Sequence, residues 1–110
     1  MKTGWKTVAA AAMSLLALSA RAQGPDALNL RSLAATCAAC HGTDGRVVGD
    51  GSVIALAGLP RDVLATQLRA FKAGSRPSTI MTQLSKGYSE TQIDQLAAYF
   101  SALKPSGEAR

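Results

Sequence analysis

The chain is poor in the residues from which catalytic and metal centres are built. Its 110 residues include one histidine, two cysteines and three methionines. One histidine and two cysteines fall short of the four protein ligands a closed structural zinc site takes, so a carboxylate would have to complete one. No nucleophile–base pair and no carboxylate cluster stands out, which argues against an enzyme acting alone. No segment reads as a strand and no βαβ pattern leads into the cysteines, so the usual setting of a thioredoxin-like dithiol is missing. Internal repeats are missing as well. The longest apolar run, Val8 to Leu18, is shorter than the ~18–20 residues a membrane-spanning helix needs.

What the front of the chain does contain is an export signal. Lys2 and Lys6 precede the Ala- and Leu-rich run, and Ala20-Arg21-Ala22 follows it with small residues at the two positions a signal peptidase reads. The expected organisation is a removed secretory signal peptide at 1–22, one domain at 23–104 and a flexible tail at 105–110. The expected address is the periplasm, with no membrane span in the mature chain.

The two cysteines and the histidine stand together, as Cys37-Ala38-Ala39-Cys40-His41. This CxxCH pattern is the attachment site of a c-type haem. Positions i, i+3 and i+4 share one face of a helical turn. Cys37 and Cys40 can thus form thioethers to the two vinyl groups of one porphyrin, and His41 can bring an imidazole nitrogen to the iron. A redox dithiol and part of a zinc site are the rival readings. A disulfide between the cysteines would leave His41 without a task. One such motif implies one covalent haem c, which would also staple a chain too short for a large core.

The formal net charge is +5. Loss of residues 1–22 removes Lys2, Lys6 and Arg21 and leaves nine basic against seven acidic residues. Two haem propionates bring that near zero, so the charge does not indicate nucleic-acid binding.

Hydrophobic spacing places three main helices around this motif. The first covers 28–37, with apolar Leu30, Leu33, Ala34 and Cys37, and Asp26 is its expected N-cap. A glycine-rich segment, 42–58, should wrap the porphyrin edge, with Val53, Ile54 and Leu56 on the ring. Leu59-Pro60 opens a second helix whose buried face is Leu64, Leu68 and Phe71 and which Gly74 ends. Arg61, Arg69 and Lys72 lie off that face and are expected to be solvated. Residues 74–88 read as irregular. Ser89 and Gln92 form a capping box for a last helix with Ile93, Leu96, Ala97, Phe100 and Leu103 inside, and Pro105 stops it.

An electron-transferring haem iron takes a second axial ligand. Met1 and Met13 leave with the signal, so Met81 is the one methionine of the mature chain. It is the expected ligand, with Lys72 or Lys86 as substitutes and an open five-coordinate, gas-binding iron as the other reading. His41 should donate its second ring N–H to a backbone carbonyl. Arg76, Lys86, Ser78, Thr79 and Tyr88 are candidates to meet the propionates.

Cys37–His41, Met81 and the closing Ile93-Asp94-Gln95-Leu96-Ala97-Ala98-Tyr99-Phe100 resemble class I c-type cytochromes. The resemblance spans nearly all of 28–104 and implies the all-α cytochrome c fold. Phe71-Lys72-Ala73-Gly74, Ser78-Thr79-Ile80-Met81 and Lys86-Gly87-Tyr88-Ser89 are most similar to the cytochrome subunit of flavocytochrome c sulfide dehydrogenase. This implies an FAD-containing flavoprotein subunit as electron donor; a free periplasmic carrier meeting other redox proteins is the alternative. In one place the chain departs from its relatives. Many of them put a proline about four residues before the glycine matching Gly58, and its carbonyl receives the histidine N–H; Ile54 stands here. The carbonyl survives that exchange, whereas the fixed φ does not.

Overall fold

The computed structural model describes residues 24–47 and 49–105; the expected signal peptide lies outside the described residues, as do positions 106–110 of the expected tail. The described residues are all-helical, without a strand: α1 Pro25–Ala35, α2 Ala38–His41, a 3-10 turn at Thr43–Gly45, α3 Arg61–Ala73, α4 Met81–Lys86 and α5 Glu90–Ser101. No helix among them is long and apolar enough to cross a membrane.

Helix α1 starts two residues earlier than the expected Asp26 cap. Gly24 is the N-cap and Pro25 the first helical residue, because proline's fixed φ and missing N–H suit that position. Asp26 sits within the first turn instead, where a carboxylate meets the positive end of the helix. The helix closes at Thr36, whose hydroxyl donates to the Leu33 carbonyl at 2.7 Å.

Helix α3 follows Pro60 and ends at Gly74, which adopts φ +75 and donates its N–H to the Phe71 carbonyl at 3.1 Å. Only glycine takes that left-handed C-cap without a steric penalty. Helix α4 corrects the expectation of an irregular 74–88. Its six residues are too few to show an apolar period, and its start depends on a local bond, Met81 N–H donating to Ser78 Oγ at 3.1 Å. Helix α5 carries the expected capping box: Gln92 N–H donates to Ser89 Oγ at 3.1 Å, and Ser89 N–H to Gln92 Oε1 at 2.9 Å.

The core is small: Ala34 of α1, Leu64 and Ala65 of α3, and Ile93, Leu96, Ala97 and Phe100 of α5. Helix α5 therefore supplies the central stripe, with α3 and α1 packed on it. Arg69 is exposed, as expected, and Lys72 is half-buried, but both have partners across the helix pair. Arg69 bridges Glu90 and Asp94, each at 2.8 Å, while Lys72 donates to the Tyr88 carbonyl and pairs with Glu90. The cause is placement: one turn apart on α3, both cations face acids one turn apart on α5. The glycine-rich loop is tied down at two points. Leu56 N–H donates to the Gly45 carbonyl at 2.8 Å, and Gly58 N–H to the Phe100 carbonyl at 2.9 Å.

Candidate functional site: a haem cavity

The CxxCH residues form a helical turn of their own. Cys37 is the N-cap of α2, and its carbonyl accepts from His41 N–H at 2.9 Å and from Cys40 N–H at 3.3 Å. One turn of helix thus sets Cys37, Cys40 and His41 on one side. All three line a cavity of about 670 Å³ between α2, the loop 52–59, α3, α4 and α5. Met81, on α4, lines the same cavity. The four residues singled out in the sequence are therefore brought together, although forty positions separate the histidine from the methionine.

His41 is held from behind. Its Nδ1 lies 2.8 Å from the Ile54 carbonyl. A carbonyl can only accept, so Nδ1 carries the proton and Nε2 keeps the free lone pair. The acceptor is the residue that stands in place of the relatives' proline, and the backbone carbonyl does serve there.

The rest of the wall is apolar. Leu64, Leu68 and Phe71 of α3, read in the sequence as a buried face, form one side of the cavity. Val53, Ile54 and Leu56 of the loop form another, as expected, and Ile80 and Leu84 flank Met81. The last two were not anticipated. Ile80 and Leu84 stand four apart beside the methionine, but one such pair is too little to mark a helix. Four large apolar side chains on this wall stay exposed: Ile54, Val63, Ile80 and Leu84.

Among the five candidates for the propionates, Arg76, Ser78 and Tyr88 line the cavity; Lys86 and Thr79 do not. Lys72 does not line it either, and its amine is engaged by the Tyr88 carbonyl and Glu90. Neither lysine named as a substitute ligand is thus brought to the cavity. Tyr88 and Cys37 are neighbours in a dry corner. Burial pushes the Cys37 thiol above its ordinary value, opposed by a hydrogen bond with Thr36. Burial also raises the Tyr88 phenol, and the nearby Cys37 raises it further. A redox dithiol needs the opposite shift, a thiol easily ionised. Among the described residues no group of three or more His, Cys, Asp or Glu side chains could hold a metal ion.

The size and lining of the cavity fit a mostly apolar planar cofactor. Its donors fit iron: an imidazole with a defined free nitrogen, a thioether, and two thiols able to add to vinyl groups. This defines a helical domain built to hold a covalent haem.

Comparison with known proteins agrees. Residues 31–104 match the cytochrome c family, and the chain belongs to that family. It is an electron-transfer domain that binds haem c covalently. It is similar to the thiosulfate dehydrogenase electron acceptor of Thiomonas intermedia, 45% identical over 75 residues, which cover 68% of this chain and 35% of that protein. It is also similar to the cytochrome subunit of sulfide dehydrogenase from Chlorobaculum tepidum, 43% identical over 72 residues, covering 64% of this chain and 63% of that subunit. Among solved structures, thiosulfate dehydrogenase from Marichromatium purpuratum superposes with a TM-score of 0.57 at 38% identity, over 67% of this chain and 16% of that one. The chain thus spans about a third of the first relative and just under two thirds of the second.

Proposed function

We propose that this chain is an exported, single-haem electron acceptor for a dehydrogenase that oxidises reduced sulfur compounds. Cys37 and Cys40 anchor the haem as thioethers, and His41 and Met81 are its axial ligands. The observation that carries this reading is the single cavity lined by these four residues, with the His41 proton committed to the Ile54 carbonyl. The bound haem supplies an iron that changes charge by one electron. The chain's own residues then fix where that happens. Ile54 orients His41 through its carbonyl, Ser78 anchors the first residue of α4 through the Met81 N–H, and the apolar wall keeps water out.

The donor is an FAD-containing, sulfide-oxidising flavoprotein subunit. In support, the chain is 43% identical to a cytochrome subunit of sulfide dehydrogenase. A second reading, a thiosulfate dehydrogenase as donor, is favoured by the 45% identity to an electron acceptor of that enzyme. Both place the protein in the periplasm, where its expected signal peptide sends it. A free periplasmic carrier is the remaining alternative.

The test is a pull-down of the tagged, exported protein from its native periplasm, followed by visible spectra with added sulfide or thiosulfate. Haem c eluting with a flavin, both reduced by sulfide, supports the first donor. Reduction by thiosulfate without flavin supports the second. Haem c eluting alone and left oxidised by both compounds would remove the proposed subunit role and leave a free carrier.

A further inference from the structure

The cavity that receives the haem is unbalanced in charge. Its wall contains no aspartate, no glutamate and no lysine, and one arginine, Arg76. A haem brings two carboxylates to this wall. An unpaired carboxylate beside apolar surface is costly, and a guanidinium is the side chain best shaped to receive it, with two parallel N–H donors.

Arg76 is also prepared for that task. Its guanidinium carbon stands 4.8 Å from the centre of the Phe71 ring, itself part of the cavity wall. Its backbone N–H donates to the Ala70 carbonyl at 3.2 Å, folding the segment after α3 back onto the helix. Pro77 follows directly, which disfavours a helical backbone at Arg76. The side chain is thus held against one ring. Among the described residues its guanidinium makes no ion pair and no hydrogen bond. The other arginines that touch acids do so outside the cavity: Arg46 pairs with Asp44, and Arg69 with Glu90 and Asp94.

We propose that Arg76 is a carboxylate-binding residue of the haem cavity, stacked on Phe71 and pairing with a haem propionate, and that its charge sets the haem's reduction potential. A positive charge beside the cofactor opposes the extra positive charge of ferric iron and so favours reduction. Arg76 therefore acts as a positioning and tuning residue, not as a ligand. The proposal rests on haem occupying this cavity, and not on which residue is the second axial ligand.

The experiment compares the haem-loaded full chain with its Arg76→Lys and Arg76→Gln variants, by spectroelectrochemical titration and by NMR of the haem propionate groups. Arg76→Gln should titrate at a clearly lower potential, favouring the oxidised form several-fold, with displaced propionate resonances. Arg76→Lys keeps the charge and should recover most of the potential. Two outcomes would overturn the proposal. One is an Arg76→Gln potential and propionate spectrum unchanged from the parent. The other is a Lys variant that falls as far as the Gln variant, since the stacking on Phe71 and not the charge would then matter. Should Arg76→Gln fail to take up haem, the Lys variant still decides: loss of loading there too refutes a role for the charge. Carbon monoxide binding, measured alongside, reports separately on Met81.

Discussion

At the scale of single residues, Met81 and Gly45 make opposite kinds of demand. Met81 is needed for its sulfur. If it ligates, the reduced parent protein should bind carbon monoxide weakly, whereas Met81→Ala should bind it stoichiometrically and fast, with a lower potential because a thioether favours ferrous iron. Equal, rapid binding by both proteins would mean that the sixth position is open and the gas-binding reading correct. Gly45 is needed for having no side chain. It sits at φ +69, and a Cβ there would come within 2.8 Å of Leu56 Cβ and 3.0 Å of Phe100 Cδ1. Backbone strain and overpacking each cost a few kcal/mol at most, so Gly45→Ala should lose roughly 2–4 kcal/mol of stability in denaturant titration. Its carbonyl also fastens Leu56, two residues from the carbonyl that holds His41.

At the scale of elements, helix α5 was the most legible part of the chain and α4 the least. Every feature of α5 is local or periodic: Ser89 and Gln92 announce its start, and Ile93, Leu96, Ala97 and Phe100 its inner face. Helix α4 has neither property, and it forms where Ser78 and the packing on α3 provide for it. The CxxCH turn was legible because attachment chemistry fixes its spacing. Which carbonyl would meet His41 could be named only by matching Ile54 to a position in relatives. The pairing of Arg69 and Lys72 with α5 was not legible, since helical spacing shows which side chains point outward but not what they face.

That pairing gives a pH dependence with a definite sign. Hydrogen bonds from Arg69 and then Lys72 hold the Glu90 carboxyl below its ordinary value of 4.5. A depressed folded value means a contribution fully present above the unfolded value and lost as pH falls through the folded one. Melting temperatures of the parent should therefore drop more steeply below about pH 4.5 than those of Glu90→Gln, with little difference in slope near neutrality. Glu90 is exposed, so the effect should shrink in high salt. Ser89→Ala tests the neighbouring cap, and about 1 kcal/mol is the expected loss at any pH.

At the scale of the whole molecule, the balance between core and cavity decides whether the chain can fold without its cofactor. Among the described residues the central core cluster has seven buried members, and four of them come from α5 alone. Beside them lies a cavity of about 670 Å³. Its walls are largely apolar and reach solvent, so a mostly apolar porphyrin seated there would remove much of that surface from water. Covalent attachment thus completes the core as well as equipping the site. A Cys37→Ser, Cys40→Ser double variant, unable to hold the porphyrin covalently, should keep part of its helical signal in far-ultraviolet circular dichroism. Near-ultraviolet signal from Tyr88, Tyr99 and Phe100 should fade, and thermal unfolding should lose its sharp transition. A sharp transition close to that of the haem-loaded parent would show that α1, α3 and α5 suffice to close the core, and that the haem contributes chemistry alone.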